Sequence, residues 1–160
     1  MRGRGRRVIQ LDSRLATAFA SPDDSTGLLL WQVTNRWQAA QRAALKPHGL
    51  THVQFVLLAS LTWLAGAGPV SQRQLADHAA TDPMMTSQVL RALAERRLVQ
   101  RLPHPGDRRA RALAVTSSGR DLANQAVIAV EAYDSAFFAA LGDDAAAFGR
   151  ALATLKHAAR

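Results

Sequence analysis

The 160-residue chain contains no cysteine, which excludes disulfides, thiolate metal sites and thiol redox chemistry. Lysine is almost missing too, with Lys46 and Lys156 the only two among 20 basic residues. Glutamate is limited to Glu95 and Glu131, and neither has a histidine near it in sequence. The adjacent carboxylates Asp23-Asp24 and Asp143-Asp144 sit at expected helix starts, where capping accounts for them. The chain has no P-loop, no Gly-x-Ser-x-Gly and no dinucleotide fingerprint. His48 and His52 stand four apart, but Gly49 and Leu50 break the helix that would put them on one face. His78, His104 and His157 are scattered, with no acidic cluster to complete the four ligands zinc needs. No apolar run approaches the length of a membrane span. The basic start "MRGRGRRVIQ" leads into Asp12 and Arg14 rather than an apolar segment, unlike a secretory signal. These absences predict a cytoplasmic chain that is not an enzyme, with no metal site, no cofactor and no membrane span.

What the chain has is arginine. The formal net charge is +8 at 48% hydrophobic content, ordinary for a folded chain apart from its sign. Guanidinium groups make planar, two-pronged contacts to phosphate and guanine, whereas an ammonium acts as a point charge. An arginine- and alanine-rich composition also follows from a GC-rich genome, so the position of the charge says more than its sum. Two places stand out: "MRGRGRR" at the start and "LPHPGDRRARALAVT" over residues 102–116.

Residues 1–7 read as an unstructured Gly/Arg arm. Val8, Leu11, Leu15 and Phe19 recur at helical spacing and predict a short amphipathic helix, broken by "SPDDSTG". Leu30, Val33, Trp37, Ala40 and Ala44 then mark one seam of a long helix that Pro47 stops. Thr51 with Gln54 forms a capping box before "HVQFVLLASLTWLA", apolar nearly all round and so the central buried helix. Ser71 with Gln74 forms a second box, opening a short helix that runs to about Ala79. Asp82 as cap with Pro83 at the first helical position starts another. On that helix Met85, Val89 and Leu93, with Leu90, are expected to face inward, and Ser87, Gln88, Arg91 and Glu95 outward. "LVQRL" and "ARALAV" alternate about a Pro/Gly turn and predict a β-hairpin with a long, basic tip. Thr116 and Ser117 open a long helix with Leu122, Val127, Val130, Phe137 and Phe138 available for packing. Gly142 ends it, and Asp143 caps a last helix. The fold class is therefore mainly α with a small β-hairpin wing.

Two short capped helices in tandem describe a helix-turn-helix, whose second helix lies in the major groove with its first residues on base edges. Ser87, Gln88 and Arg91 suit that role, because Gln can pair with adenine and Arg with guanine. The arginine-tipped hairpin immediately downstream is then a wing, able to put Arg108, Arg109 and Arg111 into a narrow minor groove. A polar helix face or an Arg-rich turn, taken alone, is as well explained by solvation. Together, with the capped helices between them, they are not. Asp107 is a residue favoured in turns and is also placed to hold Arg109 in a fixed rotamer. Thr86, Arg73 and His104 complete the candidate DNA-binding set.

The stretch "QLADHAATDPMMTSQVLRALAERRLVQRLPHPGDRRARALAVTSSGRDL" resembles the winged-helix core of the MarR family of bacterial transcriptional regulators. The match rests on Leu75-Ala76, the recognition helix ending in Leu93 and Glu95, Leu98-Val99, Arg101, and the Asp107-Arg108-Arg109 wing. It continues through Leu113, Thr116 and Gly119, and "GLTHVQFVLLASL" is similar to the family's second helix. The resemblance spans about residues 28–158. Arg97 departs from it, standing where many members have glycine, and so does the basic extension before residue 20.

The resemblance implies a homodimeric repressor on a pseudopalindromic operator. Residues 50–116 would form the winged helix-turn-helix DNA-binding domain, with 25–46 and 117–160 as dimerisation helices and 1–24 as a basic arm with a short helix. It also implies a small aromatic or anionic effector bound between the dimer helices and the winged domain, where Trp31, Asn35, Trp37, His52 and Phe55 are the candidates. Ordinary core packing of the tryptophans and Phe55 is the plainer account of those residues. The alternative function is an architectural or protein-interaction winged-helix module with little base specificity and no effector.

Overall fold

Helix boundaries in this chain follow its caps. A computed structural model describes residues 15–104 and 106–158, with the side chains of residues 104 and 107–110 outside that description. The chain divides into two units, Met1–Thr34 and Asn35–Arg160, at a boundary inside the first helix. In the first unit Ser21 caps a 3-10 turn, Pro22–Asp24, through a reciprocal box with Asp24. The predicted helix over residues 8–19 falls mostly outside the described residues, and residues 15–19 are not helical. Leu15 and Phe19 are exposed there, so no burial offsets the cost of starting a short helix.

The first helix, α1, runs Thr26–Leu45 and passes into a 3-10 turn, Lys46–His48, at Pro47. Thr51 and Gln54 cap α2, His52–Leu64, by the predicted box. Helix α2 buries Phe55, Leu57, Leu58 and Leu61, yet Trp63 near its end is exposed, so the helix is not apolar-packed all round. Ser71 and Gln74 cap α3, Gln72–Ala79. Asp82 caps α4, Pro83–Glu95, by accepting from the amides of Met84 at 2.8 Å and Met85 at 3.0 Å. Strands β1, Val99–His104, and β2, Asp107–Val115, pair antiparallel. Helix α5, Ser117–Phe138, and α6, Ala145–Ala158, follow, separated by a 3-10 segment broken at Gly142.

The core of the second unit gathers Leu45, Leu57, Leu58, Leu61, Leu75, Leu90 and Leu93, all fully buried. Each contributes about 1.5–3 kcal/mol relative to an exposed position. Helix α2 is central, packing against α3, α4 and α5.

The hairpin is longer in strand and shorter at its tip than the sequence suggests. Its register runs from Val99↔Val115 to Pro103↔Arg111 and then jumps to His104↔Asp107. Pro103 has no amide to continue the ladder, and the irregularity falls at that residue. Residues 108–110 are thus the extra residues of β2, so Arg108 and Arg109 belong to a strand rather than to a long tip loop. Leu113 adds a bridge to Val70, its amide donating to the Val70 carbonyl at 2.7 Å.

The start of α5 is pressed against the turn between α4 and β1. Thr116 accepts from the Gly119 amide at 3.0 Å, and its hydroxyl donates to the carbonyls of Arg97 at 2.8 Å and Leu98 at 3.1 Å. A Cβ on Gly119 would lie 2.0 Å from the Leu98 carbonyl oxygen. Arg97, in the same turn, has φ +58°, a conformation that costs an L-residue about 1–2 kcal/mol.

Opposite outcomes follow for two substitutions. Gly119→Ala drives a methyl into backbone that cannot rotate away, and should cost at least about 2 kcal/mol, lowering Tm by roughly 5 °C or more. Arg97→Gly relieves the positive φ and should raise stability by about 0.5–1 kcal/mol after the entropy glycine adds to the unfolded chain. Thermal melts of both variants beside the parent chain check the pair.

Candidate nucleic-acid interface

Helix α4 is held at both ends. Asp82 closes its start, and Thr86 sits one turn in, fully buried. The Thr86 hydroxyl donates to the Asp82 carbonyl at 2.8 Å and lies 2.8 Å from the Thr81 hydroxyl. Thr86 is therefore part of the turn between α3 and α4, and its burial removes it from the DNA-contact candidates. The buried row of α4 is Thr86, Leu90 and Leu93. That row corrects the expected inward place of Met85, which is 40% exposed beside Met84 at 72%. A threonine whose hydroxyl is satisfied locally can bury its methyl, and this shifts the helix phase away from the purely apolar count.

Gln88, Arg91 and Glu95 face outward as expected, and Ser87 is half-buried. Arg73 on α3 is exposed and only loosely paired with Asp77 at 3.9 Å, a geometry that contributes little in water. Gln72, Arg73, Ala76 and Asp77 line one cleft with Pro83, so Arg73 lies beside the first turn of α4. Arg111 is exposed on β2 opposite Pro103. Arg101 of β1 donates to Gln72 Oε1 at 3.1 Å, joining hairpin to α3. The backbones of His104, Asp107, Arg108 and Arg109 form the outer end of the hairpin. Their side chains lie outside the described residues, and with them the pairing of Asp107 with Arg109.

The candidate effector residues differ in exposure and contacts. Trp31 belongs to the first unit and is 68% exposed; Asn35, on α1 in the second unit, is also exposed. Phe55 is buried in the leucine core and is out of a ligand's reach without repacking. Trp37 and His52 do meet, their rings edge-to-face at 5.1 Å. Two residues the sequence did not single out complete this cluster. Trp37 Nε1 donates to Asp134 Oδ1 at 2.8 Å, and Gln41 Nε2 donates to the same oxygen. Gln41 is fully buried, and its Oε1 has no hydrogen-bond partner among the described residues. Gln41 stands beside the unbroken apolar seam of α1 and Asp134 far along α5, so no local pattern marked the place.

Partial burial lowers the pKa of His52 below its ordinary 6.5, Arg42 lowers it further, and Asp134 opposes both. The folded chain therefore holds His52 neutral to lower pH than the unfolded chain does. As pH falls through 6.5 the unfolded state takes up the proton first, so stability present above that pH is lost below it. Chemical denaturation between pH 7.5 and 5 should show this loss in the parent chain, and His52→Gln should flatten it. Equal pH profiles would show that His52 plays no part in the loss.

Comparison with known proteins agrees with this geometry. A profile of the MarR family matches residues 50–110. The chain is 42% identical over 123 residues to the HTH-type transcriptional regulator YdcH of Bacillus subtilis, covering 76% of this chain and 84% of that protein. It is 34% identical over 119 residues to the HTH-type transcriptional repressor Rv2887 of Mycobacterium tuberculosis, covering 74% and 84%. The crystal structure of CouR from Rhodococcus jostii RHA1 bound to p-coumaroyl-CoA superposes with a TM-score of 0.76. That match has 30% identity and covers 86% of this chain and 94% of that one. With a capped helix pair, a winged hairpin and relatives of this identity and coverage, the chain belongs to the MarR family of transcriptional regulators.

Proposed function

We propose that the chain is a homodimeric repressor that binds a pseudopalindromic double-stranded operator and is released from it by a small aromatic or anionic effector. One observation carries the reading: α4, second of the capped helix pair, turns Gln88 and Arg91 to solvent beside the arginine-bearing hairpin. On this reading residues 50–116 bind DNA. Gln88 and Arg91, with Ser87 at the margin, contact bases, and Arg73, Arg108, Arg109 and Arg111 contact the backbone and minor groove. Residues 25–46 and 117–160 join two copies. Support for that comes from Ile128 and Leu155, 70% and 60% exposed, and from α6, which buries no residue within its own chain. A symmetric dimer covers such surface economically. The Trp37–His52–Asp134 cluster is where an effector would act, as a ring pair beside a shared carboxylate. The protein works by binding, in the cytoplasm where the DNA is, and catalyses no reaction; among the described residues no single helix is long and apolar enough to cross a membrane.

Fluorescence anisotropy tests this with a duplex from the gene's own upstream region and a scrambled competitor at two salt concentrations. Binding at two chains per duplex that resists the competitor several hundredfold is the expected result. Gln88→Ala should relax preference at one base position by roughly tenfold or more. Arg109→Ala should weaken all duplexes and lower the salt slope by about one. Equal binding to both duplexes would favour the architectural alternative. An effector should weaken operator binding by roughly 5–150-fold.

A further inference from the structure

The polar face of α4 leaves its first turn unexplained. Met84 and Met85 are 72% and 40% exposed, although α4 completes its core row without them through Thr86, Leu90 and Leu93. Pro83 before them is exposed as well. We infer that Met84 and Met85 recognise the C5 methyl groups of thymine in the major groove. This rests on the DNA-binding reading above and adds the base chemistry that the first turn of α4 would select.

Three observations support it. The first is position. The opening residues of the second helix of a helix-turn-helix are the ones that meet base edges, and the apolar feature offered there by DNA is the thymine methyl.

The second is order along the helix. Met84 precedes Gln88 by four residues and Gln88 precedes Arg91 by three, so the three follow one stripe. A thioether, an amide and a guanidinium in sequence match a thymine methyl, an adenine edge and a guanine edge. The unbranched, polarisable methionine side chain adapts to a methyl group without a preformed pocket.

The third is electrostatic. A helix start normally attracts phosphate through its free amides. Here the Asp82 carboxylate accepts from the amides of both Met84 and Met85 and would repel a phosphate brought close. Arg73, on the neighbouring cleft with Pro83, is the group suited to the backbone. The end of α4 is thus fitted for bases and unfitted for phosphate.

The experiment uses the full chain and a duplex enriched by it from a random-sequence pool. Each thymine is replaced in turn by deoxyuridine, which removes only the methyl group. One or two positions in each half-site should lose about fourfold in affinity per methyl. Met84→Ala with Met85→Ala should bind the thymine and uracil duplexes equally, and Met84→Leu with Met85→Leu should restore the preference for thymine. Neither side chain belongs to the buried row of α4, so the variants should fold. Met84→Ala alone should melt with the parent chain and the double variant slightly below it, because Met85 is partly covered. Uracil replacement without effect at every position would overturn the inference. So would a thymine preference that survives in the double alanine variant, the result expected if the methionines face a protein partner instead. Failure of any sequence to enrich would overturn the DNA reading itself, and is distinguishable from both.

Discussion

The carbonyl of Leu98 is the point on which the winged fold turns. It accepts the Thr116 amide at 3.1 Å and shares the Thr116 hydroxyl, while the Leu98 amide donates back to Leu93. One residue therefore bonds back to α4, leads into β1, receives the residue that follows β2 and seats the start of α5. Buried peptide groups must find partners, and here they find one another across four elements. The fit is close enough that only a residue without a Cβ can occupy position 119. The hairpin is thus set against α4 by backbone bonds, which substitutions elsewhere in the leucine core would leave in place.

The same junction shows that the arginines do different things. Arg96 donates to the Gly49 carbonyl at 2.9 Å, tying the end of α4 to the start of α2, and Arg101 ties the hairpin to Gln72. These guanidiniums satisfy oxygen acceptors within the fold. Arg96 and Arg101 are nonetheless exposed, as are Arg91 and Arg111 on the recognition helix and the hairpin. Bonds to neutral oxygens leave a guanidinium charged, so all four arginines count toward the net charge of +8. What sets Arg91 and Arg111 apart is their place on the recognition helix and the hairpin.

Caps and long apolar seams were legible because their chemistry is local. Thr51/Gln54, Ser71/Gln74, Asp82-Pro83 and Thr116 each start a helix where the sequence puts one. What failed depended on side-chain bonds and register that hydrophobic spacing does not encode. The phase of α4 was misjudged because Thr86 hides its hydroxyl on Asp82 and Thr81, so a polar residue took the core place assigned to Met85. The hairpin ran further than its turn residues suggested because alternation does not reveal the register jump at Pro103. The Asp134 contacts join residues on α1 and α5 more than ninety positions apart, and no local pattern announces them. Arg97 was legible as a departure from glycine, and its positive φ gives that departure a physical cost.

Helix α5 connects these places. Asp134 near its C-terminal end holds Trp37 and Gln41 of α1, while Gly119 in its first turn is locked to Leu98. Fifteen helical residues separate the two, about 22 Å along a rigid rod. On the proposed reading, a displacement at one end of such a helix would be passed to what is bonded at the other. Anything that separates Asp134 from α1 breaks the bonds of both Trp37 and Gln41 at once, because they share one carboxylate oxygen. On that same reading, an effector at Trp37 and His52 that displaced Asp134 would act through α5 on the turn that holds the hairpin against α4, without touching either.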